Sequence, residues 1–263
     1  MKGAMHIHST YSDGEFTLAE LREVLLAEGC AFVCMADHAE YFEPDTVARY
    51  VRECEALSDE NLCIIPGLEY RCEREMHILG YGATALSQST DPKEIIEHID
   101  AQAAISVIAH PKNEFFPWIE TFETLPQGME TWNSKYDGRY APRPGTFALL
   151  QKLKQRKPSM LAFYGQDLHW KRQFRQLFVE LDGRSMDARE ILSTIRAGKY
   201  AGRKNAWRLP SSGILPAHLL TQFGRMQASS SGLWRLVKQV KTGLDRAGIT
   251  VPKSLKARLR RIF

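Results

Sequence analysis

The stretch MHIHSTYSDG, residues 5–14, carries two histidines two positions apart, followed by Ser-Asp-Gly. On a β-strand, side chains at positions i and i+2 project from the same face, so His6 and His8 are expected to point the same way. This spacing fits a short apolar strand that happens to carry histidines, and it equally fits a pair of metal ligands. The other ionisable residues of the chain decide between these two interpretations.

Short apolar runs alternate with amphipathic helical patterns along most of the chain. Seven or eight strand-like runs, among them AFVCMADH (31–38) and ISVIAHP (105–111), are separated by helical patterns. In the first helical pattern, TLAELREVLLAEG (17–29), Thr17 and Glu20 predict a capping box and Gly29 predicts the end of the helix. This alternation is typical of a parallel, barrel-like α/β domain.

Ionisable side chains recur at or near the carboxyl ends of the predicted strands. In α/β barrels this edge of the sheet carries the active site, so residues that are far apart in the sequence are expected to converge on one pocket. The residues concerned are His6, His8, Asp13, Asp37, His38, Glu69, His77, His110, Asp167 and His169.

Six motifs in chain order, HIHSTYSDG, ADH, PGLE, MHILGYG, AHP and GQDLH, resemble those of the polymerase and histidinol phosphatase (PHP) family over about residues 5–170. The resemblance implies a distorted (β/α)7, TIM-like barrel and three divalent metal ions. Imidazole and carboxylate ligands suit Zn, Mn or Fe and argue against Ca. Carried onto this chain, the implied ligands are His6, His8, Glu69 and Asp167 for the first ion, Glu69, His77 and His110 for the second, and Asp13, His38 and His169 for the third.

The chemistry of this residue set points the same way as the family resemblance. Six imidazoles and three carboxylates in one pocket are costly to bury without partners, and divalent cations remove that cost. Bridged ions about 3.5–4 Å apart activate a shared water and clamp the attacking and leaving oxygens. We therefore expect a phosphoesterase in which a metal-bound hydroxide attacks a small phosphorylated metabolite or a nucleotide. Two alternatives stay open: an exonuclease acting on short RNA or DNA ends, and a non-catalytic metal-binding scaffold.

Four further residues are candidates for catalysis. Asp37 is expected either to orient a ligand imidazole or water, or to cap a local turn. Lys112 follows AHP, and Arg139 and Arg143 lie in the loop DGRYAPRPG, so all three are candidate phosphate contacts. Asn133, at the end of GMETWN, is another. For each of these candidate phosphate contacts, a solvated surface position is the alternative.

The net charge of +4 conceals two oppositely charged parts. From Arg203 onward there are 13 Lys and Arg and a single acid, Asp245, whereas the preceding part is acidic. We therefore predict a phosphoesterase barrel over 1–205 and a basic, amphipathic, mostly helical extension over 206–263. The extension is expected to dock on the acidic body or on a second subunit of a homo-oligomer, to bind nucleic-acid ends, or to lie on an anionic membrane surface.

The bulk composition is that of a globular protein. Of the 263 residues, 44% are hydrophobic and 25% charged, and no apolar run approaches the ~20 residues that span a bilayer. The first residues lack the apolar core of a secretory signal. Five cysteines form no paired framework. These features predict a cytoplasmic protein.

Overall fold

The computed structural model of the chain describes residues 1–138 and 140–229. Within these residues the strands are β1 (Lys2–Ile7), β2 (Phe32–Met35), β3 (Asp37–His38), β4 (Cys63–Ile65), β5 (Gly67–Arg71), β6 (His77–Tyr81), β7 (Ile105–Ile108), β8 (Gly128–Asn133), β9 (Leu161–Gly165), β10 (Phe178–Leu181), β11 (Tyr200–Lys204) and β12 (Trp207–Pro210). The helices are α1 (Leu18–Ala27), α2 (Pro44–Leu57), α3 (Pro92–Ala101), α4 (Phe116–Ile119), α5 (Pro144–Lys154) and α6 (Ala188–Arg196), followed by helical residues 217–229.

The described strands form two six-stranded sheets. One has the order β12-β11-β10-β1-β2-β4, and the other has the order β3-β5-β6-β7-β8-β9. A bridge between Ile7 and Leu168 links the end of β1 to the segment after β9. The predicted α/β class is confirmed, and the fold is a mixed one with parallel and antiparallel strand pairs. In the part of the chain that is described, the hydrogen-bonded ladders do not join into one closed seven-stranded barrel.

The strand directions differ from the parallel sheet that the sequence predicts. β1, β2 and β4 run parallel, as do β7, β8 and β9. In contrast, β6 is antiparallel to both β5 and β7, and β10 is antiparallel to both β1 and β11. A parallel crossover needs a dozen or more residues. Residues 72–76 between β5 and β6, and 205–206 between β11 and β12, are too few, so these pairs are antiparallel.

Helix α1 forms as its sequence predicts. The Thr17 hydroxyl accepts a hydrogen bond from the Glu20 backbone at 3.2 Å, and the Glu20 carboxylate accepts one from the Thr17 backbone at 3.0 Å. This is the predicted capping box. Leu18, Leu21 and Leu25 are buried in the core, so the apolar face of the helix points inward.

The first part of the predicted C-terminal extension packs on the body of the protein. The predicted boundary at 205/206 falls inside the hairpin of β11 and β12. Phe223, in the helical residues 217–229, is fully buried, and its ring centre lies 5.1 Å from that of Trp207. Residues up to this point therefore share the core of the body of the protein. Residues 230–263, which hold most of the basic amphipathic pattern, lie outside the described residues.

The cysteines behave as small apolar residues. All five are buried and none is in a disulfide. Burial raises the pKa of Cys30 to about 12 and that of Cys63 to about 11, so both thiols stay protonated. Among the helices of residues 1–138 and 140–229, none has the length and apolar character needed to cross a bilayer.

Replacing Phe223 by Ala tests whether helical residues 217–229 belong to the folded body. Removal of a fully buried phenylalanine ring is expected to lower the free energy of unfolding by about 3–5 kcal/mol. Urea unfolding followed by circular dichroism measures the change. Ile214→Ala is the control, because Ile214 is 64% exposed and its truncation is expected to change stability by no more than about 0.5 kcal/mol. Equal effects of the two substitutions would contradict the packing described here.

Candidate metal centre

Nine imidazole and carboxylate side chains lie together where strands of both sheets begin or end. Their ligand atoms form four groups, and within each group the atoms lie within 4.8 Å of one another. The groups are His8–Asp13–His38–His169, His6–His110–Asp167, His6–His8–Glu69 and His38–Glu69–His77. The structure thus brings together all nine residues that the family resemblance singles out.

Glu69 lies at the centre of this metal-ligand cluster and is 1% exposed. Five imidazoles approach its two carboxylate oxygens. Oε1 lies 3.1 Å from both His77 Nδ1 and His110 Nε2. Oε2 lies 3.3 Å from His6 Nε2, 3.4 Å from His8 Nε2 and 3.6 Å from His38 Nδ1. A carboxylate that presents each oxygen to a different set of imidazoles can bridge two cations.

The two buried carboxylates of the cluster are ionised at neutral pH. Burial alone would raise the pKa of Glu69, but His6 and His77 outweigh it and hold the pKa well below its ordinary value. The same balance applies to Asp167, where burial is outweighed by His6 and by a hydrogen bond with His169. Both groups are therefore available as anionic ligands.

His8 lacks the hydrogen-bonding partner that a buried imidazole needs. Its side chain is fully buried, and within the described part of the chain neither ring nitrogen makes a hydrogen bond. Burial, and then the neighbouring His169, hold the pKa of His8 well below its ordinary value, so the ring is neutral and offers a lone pair. An unpaired buried polar atom is costly. A divalent cation removes this cost, and the donor set around His8 fits Zn, Mn or Fe.

Three residues of the cluster adopt left-handed backbone conformations. The φ angles are 61° for His6, 53° for Asp167 and 25° for His110. Such conformations cost about 1–3 kcal/mol per residue and are concentrated at functional sites.

His6 lies where the register of β1 against β2 shifts, and β1 ends before His8. The rings of His6 and His8 still lie 5.1 Å apart, but an irregular strand end brings them together, not the regular alternation predicted from the sequence.

Glu130 supports the cluster from β8 and was not predicted from the sequence. Its Oε1 lies 2.8 Å from His6 Nδ1, so the imidazole donates there and turns Nε2 toward Glu69. Oε2 accepts hydrogen bonds from the His110 backbone and from Asn133 Nδ2, both at 2.8 Å. The sequence feature that could have identified Glu130 is an acidic residue inside the strand GMETWN, which is otherwise of the buried type.

Asn133 supports the cluster through hydrogen bonds to Glu130 and Asp167. It is fully buried, and besides Glu130 its amide donates to Asp167 Oδ2 at 3.1 Å. The predicted contact between Asn133 and phosphate would require these hydrogen bonds to break.

Asp37 holds the loop that carries Asp13. Its carboxylate accepts hydrogen bonds from the Ser9 backbone at 2.7 Å, from the Ser9 hydroxyl at 3.0 Å and from the Ser12 hydroxyl at 2.7 Å. Burial raises the pKa of Asp37 to about 6 against the opposing effect of these hydrogen bonds. Asp37 therefore lies under the loop 9–14. These contacts match the predicted capping role better than the orientation of an imidazole.

The predicted phosphate contacts Lys112 and Arg143 have other partners in the structure. The Lys112 side chain is 49% exposed, with its ammonium 3.9 Å from Glu114. The Arg143 guanidinium donates to Asp137 at 2.6 Å, to Asn113 at 2.9 Å and to the Pro111 carbonyl at 2.7 Å. These bonds tie the segment after His110 to the loop after β8 and occupy all three guanidinium nitrogens. Arg139 lies outside the described residues.

Lys135, two residues after β8, reaches the cluster. The sequence did not predict it as a residue of the site. Its side chain is 20% exposed, and Nζ lies 3.0 Å from Asp167 Oδ1. Burial would lower the pKa of Lys135, but Asp167 outweighs it and the pKa is raised. The ammonium therefore stays charged. A lysine in a turn is ordinarily solvated, so the sequence carried no distinguishing signal.

Gly165, the last residue of β9, allows the cluster to pack closely. A Cβ at this position would overlap Glu130 Oε1 and lie 2.9 Å from His6 Cβ. Any larger residue must displace the carboxylate that orients His6.

Comparison with known proteins identifies the type of fold. No protein-family model matches the chain. The fold is similar to that of a two-domain protein from Bacteroides vulgatus that contains a predicted PHP-like metal-dependent phosphoesterase, with a TM-score of 0.59 and 16% identity over 86% of this chain and 69% of that one. The chain has a PHP-type fold. The resemblance to the PHP family drawn from the motifs is thus confirmed at the level of the fold.

Two further similarities accompany this one. An amidohydrolase from Chromobacterium violaceum matches with a TM-score of 0.50 and 14% identity over 73% of this chain and 96% of that one. In sequence, the chain is 31% identical over 77 residues to the DNA polymerase/3'-5' exonuclease PolX of Bacillus subtilis. That match covers 26% of this chain and 14% of the polymerase, so the chain corresponds to a small part of that relative.

Metal binding by the metal-ligand cluster is expected to stabilise the protein. At a free metal concentration of 100 times Kd, one site contributes about 2.7 kcal/mol. Differential scanning calorimetry with Mn2+ or Zn2+ is therefore expected to show a rise in Tm of roughly 5–10 °C, reversed by EDTA. His8→Ala is expected to lose most of this rise. His98→Ala, which removes an imidazole on α3 bonded to the Ala85 carbonyl, is expected to keep it. Equal metal responses of the two variants would contradict the assignment of His8.

Substitution of Gly165 by Ala is expected to weaken metal binding without removing any ligand. The added methyl group displaces Glu130 from His6, and loss of such supporting contacts typically costs about 10- to 100-fold in metal affinity. Chelator competition measures the affinity. Gly145→Ala is the matched control, because a Cβ there meets no atom closer than 3.4 Å. An unchanged affinity in a folded Gly165→Ala protein would show that the contact of Glu130 with His6 is dispensable.

Proposed function

We propose that the protein is a metal-dependent phosphoesterase of the PHP type that hydrolyses phosphate esters of small metabolites or nucleotides. One observation carries this proposal: nine side chains of metal-ligating type, buried Glu69 among them, lie in one cluster, and His8 makes no hydrogen bond within the described residues. Buried groups of this kind are costly when they lack partners, and cations bound to the cluster remove that cost. The fold shared with a PHP-like phosphoesterase supports the same reaction class.

We assign the ligands to three ions according to the family resemblance. The observed groups overlap this division in part: Asp13, His38 and His169 lie together, as do His6, His8 and Glu69, whereas His110 lies with His6 and Asp167. The proposed sets are His6, His8, Glu69 and Asp167; Glu69, His77 and His110; and Asp13, His38 and His169.

Several residues of the chain prepare the site for phosphoester hydrolysis. Divalent ions, when bound, activate water for attack on phosphorus and offset the charge of the phosphoryl group. Glu69 and Asp167 supply the negative charge that holds cations in a buried site. Glu130 keeps the proton of His6 on Nδ1, which leaves the Nε2 lone pair free for a metal. Asp37 fixes the loop that presents Asp13.

The site is reached directly from solvent. Asp13 is 37% exposed and His77 is 18% exposed, so one side of the cluster is open. The connection between β6 and β7 holds α3 and short loops, and no inserted domain covers the cluster from there. An open site accepts organic groups of various sizes.

The sequence similarity to PolX gives reason to test the second candidate, removal of nucleotides from DNA or RNA ends. End-labelled oligonucleotides test it with Mn2+ present. Stepwise shortening of the oligonucleotide by the full chain would favour the exonuclease if deletion of residues 230–263 abolishes it. Hydrolysis of p-nitrophenyl phosphate should persist after the same deletion. Intact oligonucleotides would favour a small substrate.

Hydrolysis of p-nitrophenyl phosphate tests the proposed function. The purified protein is expected to release nitrophenolate with Mn2+ and to stop when EDTA is added. Glu69→Ala and His8→Ala are each expected to lower kcat/KM by several orders of magnitude, because each removes a ligand from the centre of the cluster. His98→Ala is the control and is expected to leave the rate unchanged.

A metal-binding scaffold would give a different result in the same assay. If no phosphomonoester or phosphodiester is turned over by protein whose metal content is confirmed by elemental analysis, the metals are structural and the proposed activity is wrong.

A further inference from the structure

Lys135 brings a positive charge to the edge of the metal-ligand cluster. Its Nζ lies 3.0 Å from Asp167 Oδ1 and 3.3 Å from His169 Nδ1. Of the three cations that the sequence suggested as phosphate contacts, Lys112 lies 3.9 Å from Glu114, Arg143 donates to Asp137, and Arg139 lies outside the described residues. Among the described residues, Lys135 thus places a cation in direct contact with two side chains of the cluster.

The surroundings of Lys135 hold its ammonium toward the cluster. Asn133 Oδ1 accepts hydrogen bonds from the backbone of Lys135 at 3.0 Å and of Tyr136 at 3.1 Å, which fixes the turn after β8. The same Asn133 side chain donates to Asp167, so the turn and the cluster are tied together. The ammonium lies 5.2 Å from the ring centre of Tyr136 and 5.7 Å from that of Trp170. These rings flank the charge and stabilise it by cation–π contact.

We propose that Lys135 contacts a terminal phosphoryl oxygen of the substrate and makes the site selective for phosphate monoesters over diesters. This rests on the proposed function. Asp167 would hold a metal ion, and the Lys135 ammonium beside it would donate a hydrogen bond to a phosphoryl oxygen of a substrate bound there. Near neutral pH a monoester carries about two negative charges and a diester one, so a fixed cation gains more from the monoester.

The test compares p-nitrophenyl phosphate with bis(p-nitrophenyl) phosphate at saturating Mn2+. Loss of a hydrogen bond to a charged group corresponds to about 10- to 100-fold. Lys135→Gln is expected to lower kcat/KM for the monoester by this factor and for the diester by less than about 3-fold. Lys135→Arg, which keeps the charge, is expected to preserve the ratio of the two rates. Lys112→Gln is the matched control for loss of a nearby lysine, and its ratio is expected to equal that of the wild type.

Two measurements separate contact with substrate from an effect on the metal ions. Inhibition by inorganic phosphate is expected to weaken about 10-fold or more in Lys135→Gln, while the Mn2+ content stays equal to that of the wild type. An altered Mn2+ content, or equal losses for both esters, would overturn the proposal. If the wild type hydrolyses neither ester, the proposed function fails, and equilibrium binding of phosphate to the Mn2+-loaded proteins still tests Lys135: unchanged affinity in Lys135→Gln would overturn its role.

Discussion

The burial of Glu69 among five imidazoles is the constraint on which the rest of the site depends. A carboxylate with 1% exposure stays ionised there only because the surrounding rings outweigh the cost of removing it from water. The rings in turn need hydrogen bonds or cations for their nitrogens, and His8 makes no hydrogen bond within the described residues. The protein therefore folds around a group of polar atoms that is completed by divalent cations. This links the stability of the centre of the molecule to metal binding.

The surrounding structure maintains this arrangement against local strain. His6, His110 and Asp167 hold left-handed backbone conformations that L-residues avoid. Glu130 bonds to both histidines of this set, and the missing side chain at Gly165 leaves the space that the Glu130 carboxylate occupies. A strained geometry of this kind persists only where its neighbours determine it, so the contacts under the ligands are as important to the site as the ligands themselves.

The convergence of the nine candidate ligands could be predicted from the sequence because strand ends meet in α/β folds. His6, Glu69 and Asp167 lie at the ends of apolar runs, and that pattern is visible without coordinates. The antiparallel direction of β6 was missed, although the five-residue connection before it made a parallel crossover impossible. The boundary predicted at 205/206 follows the change in net charge along the chain. Phe223 lies beyond it but packs into the core through its apolar ring, which a charge pattern does not reveal.

The supporting residues were harder to predict, because their roles depend on three-dimensional contacts. Arg143 has the chemistry of a phosphate ligand, yet Asp137, Asn113 and Pro111 take its hydrogen bonds. Lys135 has the ordinary character of a turn residue, and only its contact with Asp167 distinguishes it. In both cases the residue type allowed several roles and tertiary structure selected one.

Anomalous X-ray diffraction from crystals grown with Mn2+ or Zn2+ would test the central claim most directly. Data collected on both sides of the metal absorption edge are expected to show anomalous peaks within coordination distance of Glu69 and of the His8 ring. Peaks confined to the protein surface, or no peak near Glu69 in crystals that contain the metal, would contradict the account.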